Sequence, residues 1–290
     1  IFLFKAFKLY MKHASKFDYS ITFPCYNAIE YTKKCINSMI QNGEDLGRVI
    51  AVDNGSTDGN QEYLKSLPLG KVILNKQNLG VGVALNQGAL EFQTEWTIVM
   101  DNDLVVSKGW IDNLIGSAIE NNLNVISPAL VEGELDYDLE SFAQKAREKM
   151  GSYIRLGDNH AVCLLIHKSV WIDTGYFRAT PSLLGYEDTL FFHDLKKKGI
   201  KTAISSQSWL HHFGSATQKA MKKEQGLKPK DDLSVRNNHV LLCQNWFSRK
   251  LDKLKKIRFR KIMQTQEMDQ FSMTVRGDRI NGKFIWFGEY

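Results

Sequence analysis

The amino-acid sequence predicts an α/β fold with a mostly parallel central sheet and helices on both of its faces. Three observations support this prediction. Strand and helix patterns alternate from residue 19 to residue 103, the strands are short and continuously apolar, and polar or glycine-rich loops follow them. Alternation of this kind needs crossover connections, and strands that are apolar on both faces are typical of a sheet covered on both sides. A basic helical extension is predicted to follow this domain.

The first hundred residues predict four strands and three helices. The apolar runs predict strands at 19–23, 48–52, 71–74 and 96–100, and helical spacing predicts helices at 28–42, 61–66 and 81–92. In an open parallel sheet, ligands bind beyond the carboxyl ends of the strands. One crevice is therefore expected to collect the loops that begin at those ends, at Pro24, Asp53, Asn75 and Asp101.

The rest of the chain continues this rhythm and then loses it. Helices are predicted at 110–121 and 189–198, strands at 124–131, 162–166 and 201–205, and a helix or a mobile excursion at 132–151. Beyond residue 216 the pattern predicts a basic helix, and Asn281-Gly282 predicts the turn of a terminal hairpin. We therefore expect an N-terminal helical segment at 1–17, the α/β domain at 18–217 and a basic C-terminal extension at 218–290.

Composition excludes several classes of protein. Of the 290 residues, 43% are hydrophobic and 24% are charged, which is ordinary for a globular protein. No apolar run approaches the roughly 18 to 20 residues that span a bilayer. The four cysteines show no C-x-x-C spacing, so we expect reduced thiols and a cytoplasmic protein rather than a zinc knuckle or a disulfide framework.

The net charge of +6 is concentrated in one segment. Residues 245–262 contain eight basic residues and one acid, Asp252. The N-terminal segment is also apolar with interspersed lysines, which indicates either a packing helix or a helix on a membrane surface. Contact with the periphery of a membrane is therefore among the partners that the sequence suggests.

Asp101-Asn102-Asp103 directly follows the predicted strand 96–100. Two carboxylates one residue apart at a strand end suit a hard cation such as Mg²⁺ or Mn²⁺ and leave positions open for phosphate. Asp and Asn are also common at the start of loops, so the motif alone does not distinguish a metal site from an ordinary loop.

Four further segments have both a functional and a structural interpretation. The loop 53–59 could hold a base and a sugar or form a capped turn, and 75–82 could face an anion at a helix start or only turn the chain. Glu187-Asp188 could supply a general base or complement a helix dipole. The pair His211-His212 could complete a metal site or be ordinary histidines.

Taken in order, these motifs resemble those of the family 2 glycosyltransferases, an inverting group with a GT-A fold. The resemblance covers about residues 18–217, and it lies in Pro24-x-Tyr26-Asn27, Val52-Asp53-Asn54-Gly55-Ser56-Thr57-Asp58-Gly59, Asn78-Leu79-Gly80, Asn86-x-Gly88, Asp101-Asn102-Asp103, Gly185-Tyr186-Glu187-Asp188 and His211.

The resemblance implies a nucleotide-sugar donor, with a UDP-sugar preferred, and a Mn²⁺ or Mg²⁺ cofactor. It implies Asp103, His211 and Asp101 on the metal side, with His212 as the alternative histidine, Asp188 as catalytic base and Glu187 as the residue that orients a sugar. The nucleotide would be held by Pro24, Tyr26, Asp53, Asn78, Gly80, Asn86, Asp101 and Asn102. A single base without a second, nucleophilic carboxylate predicts one direct displacement with inversion.

The resemblance leaves the chemical class of the acceptor undecided. A glycan or a lipid-linked saccharide is the default, and a protein is a further option. The basic segment suggests an alternative, the glycosylation of hydroxymethylated bases in phage DNA, with phosphates tracked by basic residues and bases stacked on Trp246, Phe247 or Phe259. A non-catalytic sugar-nucleotide-binding module is the competing interpretation from another class.

Overall fold

The computed structural model describes residues 15–91, 93–180, 185–214, 216–224, 226 and 246–286. Most of the predicted N-terminal segment 1–17, residues 227–245 of the predicted extension and Cys243 lie outside the described residues. Of the other cysteines, Cys25, Cys35 and Cys163 are buried free thiols. In the part of the chain that the structure describes, no helix combines the length and the apolar character that a bilayer span requires.

The strands are β1 (Tyr19–Cys25), β2 (Val49–Asp53), β3 (Lys71–Leu74), β4 (Trp96–Met100), β5 (Leu104–Val106), β6 (Val125–Gly133), β7 (Ile154–Leu156), β8 (Cys163–His167), β9 (Thr202–His212), β10 (Arg276–Ile280) and β11 (Lys283–Ile285). The helices are α1 (Ile29–Gln41), α2 (Asn60–Lys65), α3 (Val81–Ala89), α4 (Trp110–Glu120), α5 (Leu139–Met150), α6 (Lys168–Thr174), α7 (Glu187–Lys197), α8 (Ala216–Glu224) and α9 (Trp246–Phe271), with a short 3₁₀ turn at Leu46–Arg48.

One curved sheet forms the centre of the molecule. Its strands run in the order β11-β10-β6-β8-β4-β1-β2-β3, and β1, β2, β3 and β4 are mutually parallel while β8 is antiparallel to both of its neighbours. The long strand β9 pairs in parallel with β6 and antiparallel with β5 and β7. The predicted fold class, an α/β fold with a central sheet flanked by helices, is confirmed. The sheet is more mixed than predicted, because five of the ten pairings between the described strands are antiparallel.

The core follows from the apolar strands. The side chains of β1 and β4 that pack with α1 and α4 form the largest buried cluster, and α3, α6 and α7 cover the opposite side of the sheet. A third cluster packs α5 against β6, β9 and the strands at the C-terminal end. Because both faces are covered, β2 and β4 are buried along their whole length, as their unbroken apolar sequences predict.

Several boundaries differ from the sequence prediction. The predicted strand 201–205 continues to His212, because buried Trp209 and Leu210 keep pairing with β6 beyond an irregularity at Pro128 and Ala129. The short strands β5 and β7 and the helix α6 have no clear sequence pattern and were not predicted.

The C-terminal hairpin is present, with its turn at Asn281 and Gly282, and β10 extends the central sheet beside β6. The division into 18–217 and 218–290 stays a prediction.

Candidate active site

A cavity of about 1170 Å³ opens where β1 and β4 end. Its walls come from the loops after these strands, the start of α7, the end of β9, helix α8 and one side of α9. Eight of the predicted site residues line it: Pro24, Tyr26, Asn78, Asp101, Asn102, Asp103, Glu187 and Asp188. The topology therefore brings together segments that lie more than 150 residues apart in the sequence.

Three potential metal ligands meet on one side of the cavity. Asp101, Asp103 and His212 each offer one ligand atom, and these atoms lie within 4.8 Å of one another. His212 Nε2 is 3.1 Å from Asp103 Oδ1, and its Nδ1 is 3.4 Å from Glu132 Oε2. The cluster is held by the turn between β4 and β5 and by the last residue of β9, which pairs with Leu104 of β5.

The electrostatics of this cluster reflect its burial and its excess of carboxylates. Burial, and then the neighbouring Asp103, raise the pKa of Asp101 to about 8. Burial alone would lower the pKa of His212, but the nearby carboxylates of Asp103 and Glu132 outweigh it and raise the pKa to about 10. The imidazolium of His212 thus supplies the positive charge that the acidic pair requires.

His211 does not join the acidic pair. Its side chain leaves β9 on the other face, where Nδ1 lies 3.0 Å from the hydroxyl of Tyr137 and the ring packs edge-on against Phe213. Burial lowers its pKa to about 4. Because successive strand residues face opposite sides, only one of the two histidines can reach Asp103, and the structure places His212 there.

Asp53 lies at the end of β2 and is fully buried. Its Oδ1 accepts hydrogen bonds from the backbone N–H of Gly55 and Ser56, at 3.1 and 2.8 Å, and from Gln61 Nε2 at 3.0 Å. Within the described part of the chain, its Oδ2 has no hydrogen-bond partner. A buried carboxylate oxygen without a partner is costly, so this atom has the capacity to accept a hydrogen bond. Asp53 does not itself line the cavity, whereas the next residue, Asn54, does.

The loops around Asp53 are fixed by side-chain amides. Asn54 donates to Asn78 Oδ1 at 3.0 Å and to the carbonyl of Gly80 at 3.2 Å, which joins the loop after β2 to the start of α3. Gly80 has a φ of 91°, a left-handed conformation that favours glycine. Asn78 faces the cavity, whereas Gly80 contributes through the geometry of this turn.

Two other predicted nucleotide contacts have structural partners. Asn86 exchanges two hydrogen bonds with the backbone of Phe177, at 2.7 and 3.0 Å, and it does not line the cavity. Asn102 borders the cavity and is buried, and it donates to Thr32 Oγ1 at 2.8 Å. Both amides hold the walls of the cavity in place.

Glu187 and Asp188 form the first turn of α7, which begins two residues earlier than predicted. Gly185 and Tyr186 precede them with φ values of 84° and 77°, and a non-glycine residue in this region is uncommon enough to suggest a functional constraint. Burial, and then Asp188, raise the pKa of Glu187 to about 7. Both described hydrogen bonds to Asp188, from the N–H and hydroxyl of Thr189, reach Oδ1.

Two contributions to the cavity were not predicted. Glu132, at the end of β6, contacts His212 and Arg276. The inner side of α9 lines the cavity with Lys255, Lys256, Phe259 and Arg260 as well as the acid Asp252. The basic charge of α9 is visible in the sequence, but which of its residues face a cavity depends on long-range packing.

Comparison with known proteins agrees with this arrangement. A family model described as Glycosyl transferase family 2 matches residues 20–181. An "Uncharacterized glycosyltransferase" of Haemophilus influenzae is 27% identical over 143 residues, which are 48% of this chain and 42% of that protein. The "Minor teichoic acid biosynthesis protein GgaB" of Bacillus subtilis is 29% identical over 119 residues, which are 38% of this chain and 13% of that protein. The chain thus spans less than half of the length of these relatives.

A solved structure shares the fold. The structure described as "Crystal structure of GalNAc-T7 with UDP, GalNAc and Mn2+" aligns with 69% of this chain and 45% of its own, with a TM-score of 0.54 and 15% identity. This likeness confirms the predicted GT-A fold.

Proposed function

The chain belongs to glycosyl transferase family 2, and we propose that it moves a sugar from a UDP-sugar to an acceptor hydroxyl by a metal-assisted, inverting displacement. One observation above all supports this proposal. Nucleotide-loop residues, a D-x-D and histidine cluster, and a carboxylate at a helix start line one cavity. These are the three parts that binding, leaving-group departure and proton removal require.

Asp53 and the loops near it are the proposed nucleotide site. Oδ2 of Asp53 would accept the ring N–H of a uracil base, because it is buried and has no partner among the described residues. Pro24 and Tyr26 would form the apolar and aromatic side of the pocket, and Asn78 would add an amide. The printed description of the solved neighbour names UDP and Mn²⁺, which supports this choice of donor.

Asp101, Asp103 and His212 are the proposed metal ligands. Two carboxylates and one imidazole, close enough to share one ion, fit Mn²⁺ or Mg²⁺. When bound, such an ion would neutralise the charge that develops on the departing diphosphate. Loss of the proton from His212 would free Nε2 to act as a ligand.

Asp188 is the proposed general base. Its Oδ1 is held by the N–H and hydroxyl of Thr189, which leaves Oδ2 as the oxygen to take the proton of the attacking hydroxyl. Glu187, whose pKa is raised to about 7, would be partly protonated at neutral pH and could donate a hydrogen bond to a sugar oxygen. Attack from the side opposite to the diphosphate gives inversion.

A glycan or a lipid-linked saccharide is the proposed acceptor class. The name of the Bacillus subtilis relative, which refers to teichoic acid biosynthesis, is consistent with a cell-surface saccharide. Hydroxymethylated DNA stays the alternative, since α9 is basic and Phe259 faces the cavity.

We also propose peripheral contact with a membrane. Five large apolar residues of α9 are exposed beside Arg258 and Lys261: Phe247, Leu251, Leu254, Ile257 and Ile262. An exposed apolar face with basic residues is typical of interfacial helices. Co-sedimentation with vesicles that contain anionic lipid tests the membrane contact, and equal recovery of Leu254→Glu and the unaltered chain would count against it.

We propose the cytoplasm as the compartment. The buried free thiols of Cys25, Cys35 and Cys163 support a reducing environment.

A nucleotide-release assay tests the catalytic proposal. Release of UDP should need Mn²⁺ or Mg²⁺ and should rise when an acceptor is added. Asp188→Asn should lower kcat by roughly 10²- to 10⁴-fold, whereas Asp173→Asn, an exposed acid on α6, should not. Persistent UDP binding without release from any donor, and without an effect of Asp188→Asn, would favour a binding module.

A further inference from the structure

A carboxylate and an arginine lie behind the histidine of the metal cluster. Glu132 of β6 pairs in register with His212 of β9, so the two side chains leave the sheet on the same face. Glu132 Oε2 lies 3.4 Å from His212 Nδ1, and Arg276 Nη2 donates to the same oxygen at 3.4 Å. A row of contacts therefore runs from Arg276 through Glu132 and His212 to Asp103.

The two ring nitrogens of His212 face different groups. Nε2 lies 3.1 Å from Asp103 Oδ1, whereas Nδ1 is buried and makes no direct hydrogen bond among the described residues. A buried ring N–H without an acceptor is costly. The carboxylate of Glu132 is 30% exposed and therefore has room to move. A closure of about 0.4 Å would bring it to the usual N···O distance of about 3.0 Å from Nδ1.

The position of Glu132 differs from that of a metal ligand. The group of atoms that could share one ion comes from Asp101, Asp103 and His212, and Glu132 does not belong to it. Glu132 lies instead at the Nδ1 edge of the ring, away from the contact between Nε2 and Asp103. A histidine that binds a metal through one nitrogen usually donates its other N–H to a carboxylate, a carbonyl or water. Glu132 occupies the place of that acceptor.

Arg276 reaches Glu132 from outside the residues 20–181 that match the family model. Strand β10 pairs with β6 so that Arg276 lies beside Leu130, two residues before Glu132 and on the same face of the sheet. The loop after β9 borders the carboxylate on its other side, since a Cβ added to Gly214 would lie 3.3 Å from Glu132 Oε1. The carboxylate is thus placed between the C-terminal hairpin and this loop.

We propose that Glu132 positions His212 for metal binding and that Arg276 positions Glu132, so that strand β10 supports the metal site. The inference rests on the proposed function, because it requires His212 to be a ligand. Glu132 would accept the Nδ1 proton and hold the ring with Nε2 toward the two aspartates. Arg276 would keep the carboxylate at the ring, against the tendency of a partly exposed charge to turn into water. Both act through His212 and are positioning residues.

Binding of Mn²⁺ tests the role of Glu132 without any need for turnover. Calorimetric titration of Mn²⁺ into the full chain, with and without UDP, gives the Kd. Glu132→Ala should weaken binding about ten- to hundredfold. Glu132→Gln keeps an acceptor oxygen but not the charge, so it should weaken binding less than about fivefold. The matched control Glu134→Ala, an exposed acid that does not line the cavity, should change the Kd less than about twofold.

The glutamine variant decides between positioning and charge. If Glu132→Gln binds Mn²⁺ as weakly as Glu132→Ala, the effect is one of net charge and the positioning role is refuted. Equal weakening by Glu134→Ala would refute it as well. Glu132→Met, which keeps the length of the side chain without an acceptor, gives the same comparison if the alanine variant does not fold.

A double-mutant cycle tests whether Arg276 acts through Glu132. Arg276→Met alone should weaken Mn²⁺ binding about three- to tenfold. In a chain that already carries Glu132→Ala, it should add less than about twofold, because the residue through which it acts is gone. Lys283→Met, an exposed cation on the same hairpin, is the control. Fully additive effects, or weaker binding of UDP without metal, would assign Arg276 to the donor and overturn its positioning role.

Kinetics separate the positioning role from a role in the reaction. At saturating Mn²⁺, Glu132→Ala should recover kcat to within about threefold and the donor KM to within about twofold, because the excess of metal compensates for the weaker site. A large loss of kcat with an unchanged Kd for Mn²⁺ would contradict the proposal. So would a failure of the unaltered chain to bind Mn²⁺ with or without UDP. Absence of transfer from every donor, with Mn²⁺ binding that depends on Glu132, would support the positioning role and count against the proposed function alone.

Discussion

Glu267→Gln should weaken the packing of helix α9 against the rest of the protein and measurably lower the free energy of unfolding. Glu267 and Arg155 are each only 1% exposed. Arg155 Nε donates to Glu267 Oε1 at 2.7 Å, and the N–H of Val275 donates to Oε2 at 3.1 Å. The substitution removes the charge that compensates a buried guanidinium on β7.

The magnitude follows from what remains around Arg155. Breaking a buried ion pair by removing one partner costs about 3–5 kcal/mol. Asp158 still accepts from Arg155 Nη1 at 3.2 Å, but it is shared with Arg260. Partial compensation places the expected loss at the lower end, about 3 kcal/mol, which corresponds to a fall in Tm of roughly 6–12 °C.

Denaturant and thermal unfolding measure this loss, with Asp269→Asn as the control. Asp269 is an exposed acid on the same helix, so its substitution should change stability by less than about 0.5 kcal/mol. Arg155→Met/Glu267→Leu should recover most of the loss, because no uncompensated charge stays buried. A loss below about 1 kcal/mol for Glu267→Gln would refute the reasoning.

Three further predictions follow from single contacts. Gly88→Ala should destabilise the fold by roughly 2–3 kcal/mol, since an added Cβ would overlap the Thr22 hydroxyl, and urea unfolding measures it. Burial raises the pKa of Glu44 to about 7, so its ionisation costs the unaltered protein up to roughly 3 kcal/mol of folding free energy as the pH rises from about 4.5 to 7. Glu44→Gln removes this cost and should therefore stabilise the protein increasingly over the same range. Unfolding of the variant and of the unaltered protein at pH 5 and pH 8 tests this. His212→Ala should raise the Mn²⁺ concentration that gives half-maximal activity at least about tenfold, and His211→Ala should raise it less than about threefold. A larger effect of His211→Ala than of His212→Ala would identify His211 as the ligand.

Local signals predicted much of the fold and the position of the cavity. Apolar runs predicted β3 and β4 to the residue, and the polar loops after parallel strands predicted one shared crevice. These predictions succeeded because strand burial and strand ends leave a direct pattern in the sequence. The short strands β5 and β7 left no such pattern, because each pairs with the distant strand β9.

The choice between the two histidines shows where local signals end. His211 and His212 are adjacent in β9, so the assignment depends on which face of the strand meets the acidic pair. That face depends on the pairing of His212 with Leu104 and on the irregularity of β9 near Pro128. A shift of one residue in this register would exchange the two side chains. Neither pairing can be obtained from the residues around the histidines.

The sequence of helix α9 likewise does not show which side of the helix packs against the rest of the protein, and this orientation matters for function. Its basic residues occur all around the helix, so the sequence predicts positive charge without a direction. The buried pair of Glu267 and Arg155 fixes the helix rotation, which places Lys255 and Lys256 at the cavity and leaves Leu254 exposed on the outer side. The basic wall of the cavity and the membrane contact that we propose are therefore two consequences of one packing arrangement.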